Sequence, residues 1–327
     1  FTIGIETNKF NKLIEEKISD KKNINLDLKS IKFKIDPKKL SLFLATENPN
    51  ISYSNISAPV KHLKVYVDVL SLIISDPKIK KITISLKELN ISELNKLSRL
   101  IKPSNFKSFI NNRIKEGKLI SEIDIFLNEE GLFKDFIAKG TVKNLEAELI
   151  NGLSLSNTNL SFFSDKNDIL IKNIFGNIED FQIFDGDIRL NLVNGIKFDS
   201  NFNSKINLDK NLFTKYEKFF NNYSFVKNLK FLQSDFRNSF AIELDNTYKI
   251  KDYNYKIEGI IAKSQFELSK PQKNNFITDE IKQIYFSDLK FKTIFSPKIK
   301  SFNGDGKYSF DNSKFLKLNL SNSLEMT

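Results

Sequence analysis

From Lys118 onward, apolar side chains recur at every second position in one segment after another. A period of two is the signature of strands with one apolar and one polar face, so this stretch is constrained to sheet. The segments expected as strands are Leu119 to Leu127, Phe133 to Val142, Leu145 to Ile150, Asn159 to Phe163, Ile169 to Ile174, Gly186 to Leu192, Ile196 to Asn203 and Ser204 to Leu208. After them come Phe240 to Leu244, Tyr253 to Ala262, Ser264 to Leu268, Ile284 to Thr293, Ile299 to Phe310 and Phe315 to Leu320. Asn, Asp and Gly fill the turns between them. Asn211 to Tyr223 is the one interruption, with Leu212, Tyr216, Phe219 and Phe220 at helical spacing.

The first third of the chain mixes the two periods. Ile3 and Ile5 mark a strand; Asn8 then caps an amphipathic helix carrying Phe10, Leu13, Ile14 and Ile18. Alternation follows from Ile24 to Ile35, but its phase shifts by one residue at Lys29-Ser30, which implies a bulge or a turn. Leu40, Leu42 and Leu44 continue it, Asn48-Pro49-Asn50 turns the chain, and Ile51, Tyr53 and Ile56 form a short strand. In Lys61 to Leu86 a strand with Leu63, Val65, Val67 and Val69 runs into an apolar cluster, Leu70, Leu72, Ile73 and Ile74. Asp76-Pro77 stops that cluster, and alternation resumes at Ile82, Ile84 and Leu86. Two helices are expected next, one from Leu89 to Ile101 with Ser92 as its cap and Pro103 as its stop, the other from Ser104 to Gly117.

Candidate chemistry is sparse. With no Cys and a single histidine, His62, thiolate nucleophiles, disulfides and histidine-based zinc sites have nothing to build on. The carboxylate pairs Glu15-Glu16, Glu129-Glu130 and Glu179-Asp180 read as solvated turn and helix residues, and the Asn-Ile-Ser triplets at Asn50, Asn55 and Asn90 follow from a chain rich in Asn and Ser. Glycines recur beside strands in Lys139 to Val142, Asp185 to Ile188 and Gly304 to Lys307; none opens a helix, so they mark bends or bulges and not a phosphate loop. No metal site and no cofactor is expected. The formal charge of +11 comes from lysines spread along the chain among Asp and Glu, which favours a weak attraction to anionic membrane surfaces over a nucleic-acid interface. There is no run of about 18 apolar residues to span a bilayer as a helix. The chain begins at Phe1, and a signal or anchor is expected before it.

The aromatic residues raise a question of coverage. There are 31 Phe and no Trp, and Phe126, Phe136, Phe162, Phe198, Phe202, Phe240, Phe266, Phe291, Phe302 and Phe315 lie in the alternating stretches. Their apolar face needs a second sheet, closure into a barrel, helices or a ligand. The helical content is too small to cover so many strands, which leaves a curved sheet closing on itself or an open groove lined with apolar side chains.

The run from the helix at Asn8 to Ile18, through the strands of Ile24 to Leu44, into VDVLSLIISDPKIKKITIS at Val67 to Ser85 resembles the N-terminal region of the AsmA-like superfamily. Those proteins share the order helix, strands, short apolar helix and strand, and the I-x-x-I-x-I pattern of Ile79, Ile82 and Ile84. They are similar to the eukaryotic bridge-like lipid transfer proteins that begin with a chorein segment. The resemblance implies a mainly β fold with a few helices near its N-terminal end, a long curved antiparallel sheet forming an open half-pipe. It implies a helix-and-strand cap over 1–117 and a repeating β-groove region over 118–327, continuous with the cap and truncated at its C-terminal end. The groove would be lined by Leu63, Val65, Val67, Val69, Ile82, Ile84, Leu86, Ile123, Ile125 and Leu127, with Leu70, Leu72, Ile73 and Ile74 capping its entrance. The implied role is non-enzymatic: phospholipids or other acyl-chain lipids carried between inner and outer membranes by a periplasmic protein held at the inner membrane through an anchor outside this chain. The alternative is an assembly factor for outer-membrane proteins that works through exposed strand edges. An enzyme such as a carbohydrate-active β-protein would need two carboxylates converging in a cleft, which the sequence does not supply.

Overall fold

The computed structural model describes residues 3–7, 24–27, 31–36, 41–53, 56–68, 78–98, 112–149, 153–193, 195–212, 228–245, 249–273, 280–311 and 313–325. The chain forms two compact units, Phe1–Ile171 and Lys172–Thr327. Each is antiparallel sheet. The position where the sequence reading ends its N-terminal cap, 117, lies inside a strand of the first unit.

The first unit contains β1 (Ile3–Thr7), β2 (Ile24–Asp27), β3 (Ile31–Asp36), β4 (Ser41–Glu47), β5 (Asn50–Tyr53), β6 (Ile56–Ala58), β7 (Val60–Val67), β8 (Ile79–Leu86) and β9 (Leu89–Asn90). After α1 (Ile91–Ser98) come β10 (Ile114–Leu127), β11 (Phe133–Glu148) and β12 (Ser154–Ser164). The main sheet runs β1-β3-β4-β7-β8-β10-β11-β12, with β9 pairing beside β8 on β10. A three-stranded sheet, β2-β5-β6, stands apart. The phase shift at Lys29-Ser30 therefore separates two sheets: Ile24, Leu26 and their partners belong to the small one and Ile31 onward to the large one. Among the described residues, the buried apolar positions of this unit are Ile31, Phe43, Val60 and Leu89, the last with no exposed surface.

Two helix expectations are corrected. The cap of α1 is Asn90, not Ser92: its Oδ1 accepts from the Glu93 N–H at 3.1 Å and from the Ser92 hydroxyl at 2.7 Å, while Glu93 Oε2 accepts from the Asn90 N–H at 2.9 Å. That is a reciprocal capping box. The second correction is Ile114, which opens β10 instead of continuing a helix to Gly117. Gly117 sits within the strand at φ +153° between two register shifts, and pairing with β11 outweighs the helical spacing of the preceding residues. The helices expected at Asn8 to Ile18 and Ser104 to Asn111, and the cluster Leu70 to Ile74, lie outside the described residues.

The second unit is an antiparallel meander. Its strands are β13 (Asp168–Ile178), within which the boundary falls, β14 (Phe181–Asn191), β15 (Ile196–Leu208), β16 (Leu229–Leu244), β17 (Ile250–Gln272), β18 (Ile281–Phe295), β19 (Ile299–Phe310) and β20 (Leu316–Glu325), each paired with the next. Several expected pairs of strands are single long ones: Phe133–Glu148 is β11 with a bulge at Asn144, and Ile196–Leu208 is β15 without interruption. The bulges place Asn or Asp in the left-handed region, as at Asn144 (φ 49°), Asp185 (φ 52°) and Asp288 (φ 52°), and each coincides with a register shift. Such bulges bend and coil a sheet. Of the recurring glycines, Gly186 follows the bulged Asp185, Gly306 faces the bulge at Asp288, and Gly140 pairs regularly with Phe162.

In neither unit is the last strand paired with the first among the described residues, so both sheets are open. The expected class, mainly β with long, curved, open antiparallel sheet and few helices, is the observed one.

Candidate functional site

Directly opposed residues of an antiparallel pair share a face, so the register assigns every described strand residue to one side. In the first unit one row across six strands reads Phe33, Leu44, Val65, Ile82, Ile125, Phe136. The next row reads Thr46, Leu63, Ile84, Ile123, Ala138, Ser164. Val67 pairs with Leu42 on the same face, and Leu86 and Leu127 follow Ile84 and Ile125 at the strand period. Nine of the ten residues expected to line a groove are thus brought together on one apolar face; the tenth, Val69, lies outside the described residues.

The opposite face of this unit mixes charged and aromatic residues and is cross-linked, with the buried Phe43 5.2 Å from the Tyr66 ring between centroids. Lys81 lies 4.4 Å from the Tyr66 ring centroid and 3.5 Å from Asp124, whose Oδ1 accepts from the Thr83 hydroxyl at 2.5 Å. Glu122 accepts from Ser85 at 3.3 Å and pairs with Lys139 at 2.9 Å. The Lys139 ammonium, by its hydrogen bond, holds the Glu122 carboxyl below the ordinary range, against some desolvation, and the Lys139 pKa is raised in return. Phe126 belongs to this face, packed toward Lys81, and not with the apolar rows. His62 lies here too, across from Glu47 and Ser85.

The second unit repeats the division with aromatic residues. One row reads Ile183, Ser204, Phe236, Gly259, Phe291, Gly304, Leu320; its neighbour reads Phe202, Asn238, Ile257, Thr293, Phe302, Asn322. A third reads Ile188, Ser200, Phe240, Tyr255, Phe295. Large and small residues alternate across the strands as well as along them. The rings meet edge to face or tilted, Phe240 to Tyr255 at 5.6 Å, Phe236 to Phe291 at 5.8 Å and Phe291 to Phe302 at 5.1 Å between centroids. Gly259 has no room for a side chain, since a Cβ would lie 2.1 Å from the Asp235 carbonyl oxygen and 3.0 Å from the Phe236 ring.

Burial on this face is mixed, unlike that of an ordinary core. Small polar residues are among its most deeply buried, Ser234 at 1% exposed, Ser264 at 3% and Asn238 at 4%, beside the buried Ile183 and Leu289. The large residues that shelter them are half-buried or, like Phe295 and Leu320, about 40% exposed. The rings therefore lie over the small residues as a lining one side chain thick. At one end the face gains local cover, where Leu208 and Leu229 are buried with Leu212, Phe181, Ile206, Leu232 and Phe266 around them. One polar node interrupts the lining: the Tyr255 hydroxyl donates to Asn238 Oδ1 at 3.1 Å, and Asn238 Nδ2 donates to Ser204 Oγ at 2.9 Å. Burial pushes the Tyr255 phenol above its ordinary pKa.

The phenylalanines at 198, 202, 240, 266, 291 and 302 are legible in the alternation. The serines, Asn238 and glycines that seat them are not, because a small polar residue reads as a break in an apolar pattern. Phe315 lies in a turn, exposed, and not in a strand. The remaining candidates do not converge: Glu129-Glu130 and Glu179-Asp180 occupy separate turns, and Glu15-Glu16 lie outside the described residues. Among the described residues no group of three or more His, Asp or Glu is placed to hold a metal, and no helix is long and apolar enough to cross a membrane. Comparison with protein-family models, curated proteins and solved structures gives no match.

Proposed function

We propose that the apolar face of each sheet is a carrier surface for lipid acyl chains and that the protein moves phospholipid or a similar lipid without chemistry. The observation that carries this reading is the exposure of the face: a lining of Phe, Ile, Leu and Tyr that stays largely half-exposed over an open sheet. Each methylene transferred from water to such a surface gains about 0.8 kcal/mol, so a row of these side chains holds an acyl chain while its headgroup stays in water. The eight strands of the second unit, about 4.8 Å apart, extend the surface roughly 34 Å across the strands. The opposite face, stitched by pairs such as Glu122 with Lys139, would remain in water. The resemblance to the AsmA-like superfamily points the same way and supplies the rest of the proposal: a periplasmic location, attachment to the inner membrane through a segment outside this chain, and delivery toward the outer membrane.

The test is lipid extraction and mass spectrometry of protein purified without detergent. We expect bound phospholipid, diminished when Val65 or Ile84 is replaced by Asp in chains whose circular dichroism still reports sheet. Protein that carries no lipid and takes none from labelled vesicles contradicts the reading. The second reading, an assembly factor for outer-membrane proteins, draws on one observation, the leucines of β20 at positions 316, 320 and 324, all exposed above 40% on its apolar side. Capture of unfolded barrel proteins by a lipid-free chain would favour it.

A further inference from the structure

In a meander, alternate turns fall on the same edge of the sheet, and in the second unit one edge is formed by the turns β14–β15, β16–β17 and β18–β19. That edge is apolar at its tips. Leu192 and Val193 are 42% and 45% exposed in the first turn, Ile250 is 63% exposed at the second, and Phe295 and Ile299 are 40% and 41% exposed at the third. Closed turns hold these side chains out: the Asp245 N–H donates to the Lys249 carbonyl at 3.0 Å, and the Ser296 N–H to the Ile299 carbonyl at 2.8 Å.

Lysines flank every tip. Lys197 follows the first turn, Lys249 and Lys251 bracket Ile250, and Lys298 and Lys300 bracket Ile299. Of the carboxylates on this edge, Glu325 ends β20 opposite Ile299, and three others are engaged locally. Glu243 lies 2.7 Å from Lys251 and 3.8 Å from Lys197, Asp245 Oδ1 accepts from the Lys249 N–H at 3.1 Å, and Asp252 Oδ1 accepts from the Tyr253 N–H at 2.8 Å. Lys249, Lys298 and Lys300 are exposed and have no ion pair among the described residues.

The geometry points to this edge as a membrane-docking rim that takes an anionic phospholipid bilayer surface. Successive tips are separated by two strand spacings, about 10 Å, with cationic side chains between them. A second protein would have to supply a matching pocket for each tip. A bilayer interface admits separate apolar groups to a depth of about 5–10 Å while its anionic headgroups meet the lysines. Seated in this way, the rim places the edge of the apolar face at the acyl-chain boundary, where a lipid enters the lining sideways. The docking itself does not depend on what the face carries.

Flotation of the purified full chain with vesicles tests the inference. Wild type is expected to float with vesicles of phosphatidylcholine and phosphatidylglycerol, weakly with phosphatidylcholine alone, and less on anionic vesicles as salt is raised. The charge variant Lys249→Gln/Lys298→Gln/Lys300→Gln is expected to weaken partition about fivefold per lysine at low ionic strength. The apolar variant Ile250→Ser/Phe295→Ser/Ile299→Ser is expected to weaken it by about tenfold or more. A control, Phe315→Ser/Leu316→Ser in the β19–β20 turn on the opposite edge, is expected to float like wild type. Wild type that fails to float, rim variants that float unchanged, or a control that falls with them each overturns the inference. So does a dimer, seen by sedimentation without vesicles, that the rim variants dissolve in a chain that ignores vesicles. Lipid extracted from the charge variant reports the carrier surface separately, since the lysine substitutions leave its aromatic rows intact.

Discussion

Asn238 shows how a polar residue is kept on an apolar face. It is almost fully buried, and both ends of its amide are engaged, by Tyr255 from one neighbouring strand and Ser204 from the other. A buried amide left unpaired would cost about 1–3 kcal/mol, so the node fixes the register of three strands at one point. It also predicts a pH dependence. Below the ordinary phenol value near 10, Tyr255 is neutral folded and unfolded and its contribution is complete. Above it the unfolded chain ionises first, because burial raises the folded pKa, and stability falls as pH climbs toward that raised value. In urea denaturation, Tyr255→Phe should lose about 1 kcal/mol at neutral pH, from the missing hydrogen bond. The variant should then decline less steeply than wild type between pH 9 and 11; parallel declines would show that the phenol is not desolvated.

At the scale of elements, stability rests on local devices because the sheets have so little core. Asn90 is one. Its capping box with Glu93 starts α1 directly from β9, beside the fully buried Leu89. Asn90→Ala should cost about 1 kcal/mol in a denaturant series, while Ser92→Ala should cost clearly less, since the Ser92 hydroxyl only donates to the cap. Equal costs would move the cap back to Ser92. The sequence hid this cap because three polar residues near the helix start are equally plausible from type alone. It hid the β10 start for a related reason: Ile114 fits helical spacing with Phe106 and Ile110, and only pairing across to Ala147 reveals it as strand. The bulges were partly legible, since glycines mark Asp185-Gly186, but the left-handed Asn144 and Asp288 carry no such mark. The strand Ile299–Phe310 was legible in full, although Ile299 is out of phase with Phe302, Tyr308 and Phe310.

For the whole molecule, the constraint is that an apolar face has been built without a second layer to cover it. Eight hydrophobic side chains are buried among the described residues of both units, and four of these belong to the first. The apolar rows were readable from the period of two, and nine of the ten first-unit residues expected to line a groove share one face. What the period could not convey is how the face is finished. Serines, glycines and Asn238 sit beneath leaning rings, and this cross-strand order depends on register, which the strands acquire only by pairing. The account makes the face, and not any cluster of side chains, the functional site. Because the chain has no Cys, single cysteines placed along β16 and fitted with a photoreactive group report contact residue by residue in the presence of phospholipid vesicles. Labels at 236, 238 and 240 should cross-link to acyl chains while those at 237, 239 and 241 should not; cross-linking without a period of two, or none on either face, would contradict the account.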